Sequence, residues 1–268
     1  MFIFIMDNNT YYNLYSYFDK IYCLNLITRK DRYESAKKIF NKLNIPHVEF
    51  YITEKSKING RFGCFNSHIN IIKNSFNKGY FNILITEDDI RPTKYYNLDL
   101  VKKSIDFMKN NKWDIFYFGY IPFNKNFISD NIFFNNKKIN DNIINYSPCG
   151  THAYCLNKHS MIKILNNYEK YINNTHYDVF LTNHKIFKNY CLVPMIFDQI
   201  WCSPSDNSVH DITEVISRKL QCVVGDKLNL GTKTTIFVYL ANKYKYTKYL
   251  IILIFIILFL ILYILNKN

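Results

Sequence analysis

The chain has 268 residues and a formal net charge of +13 at pH 7, which is enough sequence for one full hydrophobic core and a small additional segment. A basic chain can bind nucleic acid, but only five of the 34 basic residues are arginine. No element concentrates arginine together with aromatic side chains, so we predict no nucleic-acid partner. The seven cysteines form no disulfide-like framework, which is typical of a reducing compartment.

Strand and helix patterns alternate from residue 20 onward. Residues 20–26 read as a buried strand, and residues 29–43 have apolar positions at helical spacing. Pro46 ends this helix, and a second strand follows it. Ser67 is predicted to cap a helix rich in isoleucine, with Gly79 at the C-terminal end of that helix.

The same alternation continues downstream. Residues 80–86 predict a strand, residues 98–110 a helix and residues 113–120 another strand. The Asn- and Lys-rich segment 121–147 predicts a long surface loop or a small hairpin. One more strand and helix and a final strand then follow in residues 151–197. This order predicts an α/β domain with a mainly parallel sheet, in which ligands bind beyond the carboxyl ends of the strands.

An uninterrupted apolar segment covers residues 249–265 and contains no charged, amide, proline or glycine residue. As a helix it would extend roughly 26 Å, which is adequate for a thin bilayer. A buried core helix, the alternative, would show a polar residue at nearly every turn. We therefore expect a single transmembrane helix that anchors the protein to a membrane by its C-terminal end.

The flanks of this segment favour one orientation. Lys243, Lys245 and Lys248 precede it, and Lys267 follows it, which favours a cytosolic N-terminal domain. The apolar stretch "MFIFIM" at residues 1–6 is too short and too weakly charged to be a secretory signal. The predicted regions are an N-terminal extension (1–16), the α/β domain (17–215), a juxtamembrane segment (216–248) and the transmembrane anchor (249–265).

Three consecutive acids, Glu87, Asp88 and Asp89, end the strand at residues 80–86. In an extended segment Glu87 and Asp89 would share one side and Asp88 would face away. Two converging carboxylates favour a hard divalent cation, Mn²⁺ or Mg²⁺, as their partner. The alternative is that the acids cap the following turn or pair with Arg91.

Several motifs occur in an order that resembles glycosyltransferase family 25, the lipooligosaccharide and procollagen galactosyltransferase group. The resemblance spans roughly residues 18–207. The motifs that carry it are "LNLITRKDR" with Asn25, Leu26, Arg29 and Arg32, "GRFGCFNSH" with Gly60, Gly63, Cys64, Ser67 and His68, "LITEDDI" with the three acids, "WDIFYFG", "THAYCLNKHSMIKIL", "HYDVFL" and, more loosely, "VPMIFDQIWCSPSDN".

The resemblance implies a nucleotide-sugar-binding fold of the GT-A type, which is Rossmann-like. It also implies a divalent cation and inverting transfer of a hexose, galactose or glucose, from a UDP-sugar to a hydroxyl of a glycan or protein acceptor. The metal ligands would be Asp89 and either Glu87 or Asp88, with Glu87 as the favoured residue. The catalytic base would be Asp178 in "HYDVFL", with His176 as the less favoured substitute. The nucleotide sugar would contact Asn25, Arg29, Arg32, Ser67, His68 and Asp88.

Each of these assignments has a structural alternative. Arg29 and Arg32 could belong to a solvated first turn, with Arg32 paired to Asp31 or Glu34. Ser67 could serve only as a helix cap, and His68 could pack the helix against the sheet.

The chain also departs from the family pattern. It replaces the usual "AVDG"-like turn by "EKSKING" before Gly60, and its anchor favours a cytosolic domain. The alternative function is a catalytically inactive family member that acts as a membrane-anchored scaffold, and a less favoured one is a basic nucleic-acid-binding membrane protein. The abundance of Lys, Asn, Ile, Tyr and Phe is typical of an A/T-rich genome, such as that of a large virus, and we expect the protein at a viral or host membrane.

Overall fold

The computed structural model describes residues 14–121 and 137–200. The predicted transmembrane helix, the juxtamembrane segment and nearly all of the N-terminal extension lie outside these residues. Among the residues that are described, no helix is both long and apolar enough to cross a bilayer.

The elements follow the predicted alternation closely. The strands are β1 (Lys20–Leu26), β2 (Val48–Thr53), β3 (Asn82–Glu87), β4 (Ile90–Pro92), β5 (Ile115–Ile121), β6 (Lys137–Lys138), β7 (Ile143–Asn145), β8 (Cys149–Asn157), β9 (Asn189–Leu192) and β10 (Phe197–Gln199). The helices are α1 (Lys30–Lys42), α2 (Gly60–Asn77), α3 (Leu98–Asn110), α4 (Lys158–Asn167) and α5 (Tyr177–Leu181), with a 3₁₀ turn at Tyr168–Lys170.

Eight strands form one mixed sheet in the order β2-β1-β3-β8-β5-β9-β7-β6. Six of them run in the same direction, while β8 and β7 run antiparallel to their neighbours. The prediction of an α/β domain with mostly parallel strands is confirmed. The carboxyl ends of β1, β3 and β5 therefore share one edge of the sheet with the beginning of β8. Strands β4 and β10 form a separate two-stranded sheet.

Helices cover both faces of the sheet. Adjacent residues of β1 show the division, since Tyr22 packs in one core cluster and Cys23 in the other. Helices α1 and α3 bury their apolar faces with Cys23, while α2, α4 and α5 pack with Tyr22. The residues that are buried in both layers are mainly Ile, Phe, Tyr and Leu, which explains the long apolar runs of the strands.

The predicted start of α2 at Ser67 is wrong, because the helix begins at Gly60. Its cap is Asn59, whose side chain accepts a hydrogen bond of 2.8 Å from the Phe62 N–H. Ser67 lies inside the helix and donates to the Gly63 carbonyl at 2.8 Å.

Gly63 accommodates the loop before α2. A Cβ at this position would lie 2.8 Å from the Cβ of Ser56, so the close approach of the loop requires glycine. The predicted glycine at the other end of the helix is confirmed, since Gly79 follows the cap residue Lys78 with a φ of +77°.

The segment between β5 and β8 contains a small hairpin, formed by β6 and β7. This was one of the two structures predicted for residues 121–147, although residues 122–136 lie outside the described part. Strand β7 pairs with β9 and extends the sheet.

Candidate active site

The three acids lie at the edge of the sheet where the carboxyl ends of the parallel strands meet. Glu87 is the last residue of β3, and Asp88 and Asp89 form the turn that leads into β4. The expectation that Asp88 faces away from Asp89 is wrong, because the chain turns at this point instead of remaining extended. Arg32 Nη1 lies 3.0 Å from Asp88 Oδ1 and 3.3 Å from Asp89 Oδ2, so both carboxylates share one guanidinium.

Asp88 is held by side chains from the first strand and the first helix. Besides the contact with Arg32, its Oδ2 accepts a hydrogen bond of 2.7 Å from Asn25 Nδ2. Asn25 also donates to the Arg29 carbonyl at 3.1 Å, which ties the end of β1 to the start of α1. Burial raises the pKa of Asp88 despite the opposing charge of Arg32. Asp88 therefore anchors the turn that presents Asp89.

Two consecutive residues of β8 hold the other two acids of the site. The Thr151 hydroxyl donates to Glu87 Oε1, and the Gly150 N–H donates to Asp178 Oδ2 at 2.9 Å. Asp178 Oδ1 accepts a second backbone bond, of 2.8 Å, from the Val179 N–H. Strand β8 thus brings an acid from β3 and an acid from α5 to one place.

The backbone at Gly150 requires glycine. Its φ is +78°, and a Cβ would lie 2.8 Å from Ile121 Cγ1. This left-handed conformation at the beginning of β8 aims the N–H of Gly150 at Asp178.

The electrostatics of the site favour a cation. Burial, together with the negative charges of Asp89, Asp88 and Asp178, raises the pKa of Glu87 to about 8. A Mn²⁺ or Mg²⁺ ion binds carboxylate oxygens and commonly completes its shell with substrate phosphate and water. In the described ranges no group of three or more His, Cys, Asp or Glu side chains is arranged to hold an ion. Metal binding by Glu87 and Asp89 stays a prediction.

The raised pKa of Glu87 predicts a pH dependence of stability in the metal-free protein. Between pH 4.5 and about 8 the folded protein holds a proton on Glu87 that the unfolded chain has released, so the free energy of unfolding falls as pH rises. Burial lowers the pKa of His68 to about 3 and that of His152 to about 4. These two histidines make the free energy of unfolding rise with pH, but only up to about pH 6.5, where the histidines of the unfolded chain have lost their protons.

We therefore expect the Tm measured in EDTA to fall between pH 7 and 8.5, and the Glu87→Gln variant to show a flatter profile. Mn²⁺ should reverse the fall in the wild type, because metal binding and proton binding compete. Equal slopes for the wild type and the variant would contradict the assignment of the raised pKa to Glu87.

The alternative that Arg32 pairs with Asp31 or Glu34 is wrong, whereas Arg29 does pair with an exposed acid of the first turn. Arg29 binds Asp31 through two hydrogen bonds, of 3.0 Å from Nε and 2.9 Å from Nη2, and this contact lowers the pKa of Asp31 to about 2. Arg32 turns to Asp88 and Asp89 instead. The Arg32 guanidinium thus lies beside the acids, and Arg29 is the residue that precedes α1.

His68 lies beneath the site and is fully buried. Its ring stacks on Tyr177 at 4.4 Å, and its Nδ1 lies 2.9 Å from the hydroxyl of Tyr154. Its Nε2 lies 3.8 Å from Glu87 Oε1. This is the geometry of a residue that packs α2 against the sheet and α5. Contact of His68 and Ser67 with a nucleotide sugar stays a prediction.

The sequence analysis missed Gly150, Thr151 and the pair formed by Arg91 and Asp198. Arg91 Nη2 lies 3.0 Å from the buried Asp198 Oδ2 and joins β4 to β10. The Ile200 N–H then donates to the Asp89 carbonyl at 2.7 Å, so the segment after β9 closes over the acidic turn. An acid between apolar residues in "IFDQI" was the available signal for Asp198.

Comparison with known proteins agrees with the motifs. The model of glycosyltransferase family 25 (LPS biosynthesis protein) matches residues 52–181. A Drosophila melanogaster protein named glycosyltransferase 25 family member is 25% identical over 127 residues, which is 38% of this chain and 21% of that protein. The resemblance to family 25 is confirmed over the matched region, which contains Ser67, His68, the three acids and Asp178. The motif with Asn25, Arg29 and Arg32 precedes this region.

Two solved structures show a distant similarity of chain path. A protein from STIV has a TM-score of 0.43 at 12% identity, and the match covers 65% of this chain and 81% of the STIV protein. A UDP-glucose pyrophosphorylase complexed with UDP-glucose has a TM-score of 0.39 at 10% identity, and the match covers 74% of this chain and 81% of the pyrophosphorylase chain. Neither similarity bears on the chemistry of the site.

Proposed function

We propose that this protein is a metal-dependent, inverting glycosyltransferase that moves a hexose, galactose or glucose, from a UDP-sugar to a hydroxyl of a glycan or protein. The observation that carries the proposal is the meeting of Glu87, Asp88 and Asp89 with Asp178 across Gly150 and Thr151. All of these residues lie in the region that matches family 25. The sheet order, with antiparallel β8 beside the parallel strands β2, β1 and β3, supports a GT-A-type fold.

In this proposal Glu87 and Asp89 hold Mn²⁺ or Mg²⁺. The bound cation would neutralise the charge that develops on the departing diphosphate. Asp88 holds the turn in place through Arg32 and Asn25. Arg29, at the start of α1, binds the nucleotide sugar by exchanging its partner Asp31 for a phosphate, which accepts the same two-pronged contact.

Asp178 acts as the base that accepts the proton of the acceptor hydroxyl. Inversion requires the acceptor to approach the sugar carbon from the face opposite the leaving diphosphate, so the base has to come from a segment other than β3. Asp178 meets this requirement because it belongs to α5. Each of its oxygens accepts one backbone hydrogen bond and keeps a second lone pair for the hydroxyl. The backbone bonds fix the direction of that lone pair.

We also propose that residues 249–265 anchor the protein to a membrane, with the enzymatic domain in the cytosol. The apolar, uncharged composition of the segment and the lysines that precede it support this placement. The acceptor would then be a membrane-associated glycan or protein that is accessible from the cytosol.

The test is the release of UDP by the full-length protein from UDP-galactose and UDP-glucose, with Mn²⁺, with Mg²⁺ and with EDTA. The proposal predicts that one donor is turned over with metal and that EDTA abolishes the turnover. A folded sample that neither binds nor hydrolyses any UDP-sugar would contradict the proposal and favour the inactive scaffold.

A further inference from the structure

One face of α2 contacts the segment that carries Asp178. Arg61, Phe65 and His68 lie at positions i, i+4 and i+7 of the helix and therefore project from the same side. The Phe65 ring lies 5.3 Å from Tyr177 and 5.7 Å from Phe180, and the His68 ring stacks on Tyr177. The residues on both sides of Asp178 in the chain are thus packed against α2.

Arg61 adds polar contacts to this face. Its Nη1 donates to the Thr175 carbonyl at 3.1 Å, and its Nη2 donates to the Asn173 carbonyl at 2.5 Å. Both carbonyls belong to the loop that enters α5, and Thr175 is three residues before Asp178. The fork geometry of a guanidinium allows one side chain to bind two carbonyls at once, which the single ammonium of a lysine does less well.

Helix α5 depends on such external contacts. It has five residues, and its cap residue His176 makes no side-chain capping bond. A helix of this length does not hold its position by its own hydrogen bonds. Its core side is held by the ring contacts with α2, by the hydrogen bond of 3.0 Å from the Tyr154 hydroxyl to the Tyr177 hydroxyl and by the bond of 2.8 Å from Asn189 Nδ2 to the Leu181 carbonyl. Its entrance is held by the bonds from Arg61.

We infer that Arg61 is a positioning residue that sets the place of Asp178 relative to Glu87 and Asp89. This inference rests on the proposed function, in which Asp178 is the base. Arg61 holds the entrance of α5, and the Gly150 N–H holds the carboxylate itself. Loss of the two bonds from Arg61 frees the loop and lets Asp178 move away from the acceptor hydroxyl. Donor binding, which uses α1 and the acidic turn, is left intact.

The experiment compares Arg61→Gln and Arg61→Lys with the wild type in full-length protein, at a temperature well below each Tm. A displacement of about 1 Å at a reacting group costs up to about a hundredfold in rate. We therefore expect the kcat of Arg61→Gln for UDP release from the UDP-sugar to fall about tenfold to a hundredfold. The Kd of the UDP-sugar with Mn²⁺ should change less than about twofold. Arg61→Lys, which keeps one bond, should have an intermediate kcat.

Lys73→Gln is the matched control. Lys73 lies on the same helix and binds the hydroxyl of Tyr168 at 2.9 Å, so it ties α2 to the same segment at a point farther from Asp178. Its replacement should leave kcat within about twofold of the wild type, whereas Arg61→Gln should not.

Three results would overturn the inference: wild-type kcat in a folded Arg61→Gln variant, a loss of donor affinity that parallels the loss of kcat, or equal losses of kcat in Arg61→Gln and Lys73→Gln. If Arg61→Gln does not fold, Arg61→Lys decides, and a wild-type kcat in that variant contradicts the inference. A wild type that turns over no UDP-sugar overturns the proposed function instead, and the two failures are therefore distinct.

Discussion

Replacement of Asp178 by asparagine is expected to lower kcat for sugar transfer by about 10²- to 10⁴-fold, the range that a positioned general base contributes. Asparagine has the shape of aspartate, and its carbonyl oxygen can still accept one of the two backbone hydrogen bonds, from the Gly150 N–H, although its NH₂ group cannot accept the other, from the Val179 N–H. It cannot take a proton from the acceptor hydroxyl. The fold and the Kd of the UDP-sugar should therefore remain close to those of the wild type.

The matched control is His176→Asn. His176 is exposed and lies two residues before Asp178, and it is the substitute base that the sequence leaves open. Single-turnover kinetics with saturating donor separate the chemical step from donor binding. A large loss of kcat in His176→Asn together with full activity in Asp178→Asn would move the role of the base to His176.

Replacement of Asp89 by asparagine is expected to lower metal-dependent turnover by about 10²- to 10³-fold, the cost of removing one group that stabilises developing charge. Arg32 keeps its contact with Asp88 in this variant, so the turn should still form. One of the negative charges that surround Glu87 is lost. The Tm in EDTA should consequently be unchanged or higher, while the affinity for Mn²⁺ falls.

Asp106→Asn makes the same chemical change at an exposed ion pair on α3 and should leave both turnover and Mn²⁺ affinity unchanged. The measurement is UDP release over a range of Mn²⁺ concentrations, together with a thermal melt of each variant. Full turnover by Asp89→Asn at low Mn²⁺ would show that Asp89 is not a metal ligand.

The sequence predicted the bounds of strands and helices well where the spacing of apolar residues is compatible with only one type of element. The bounds of β1 and α3 agree with the structure, because continuous apolar residues define the strand and a regular apolar stripe defines the helix. The start of α2 was misplaced since both Asn59 and Ser67 are acceptable caps. Gly63 lies inside the helix, where it allows the close approach of Ser56.

The site was predictable where it depends on a single strand end and not where it depends on distant pairing. Three acids after a buried strand placed Glu87 and Asp89 at the correct edge of the sheet. The turn at Asp88 and its contact with Arg32 depend on packing between β3 and α1, which are 56 residues apart at this contact. Gly150 and Thr151 reach the acids because β8 inserts antiparallel between β3 and β5, and no local pattern encodes that insertion.

Calorimetric titration of UDP into the full-length protein, in Mn²⁺ and in EDTA, tests the central claim most directly. A site in which Glu87 and Asp89 share a cation with the diphosphate predicts binding in Mn²⁺ that EDTA abolishes. It also predicts that Asp89→Asn binds UDP in Mn²⁺ no better than the wild type does in EDTA. UDP binding of equal strength with and without metal, or its absence in a folded wild-type sample, would contradict the account.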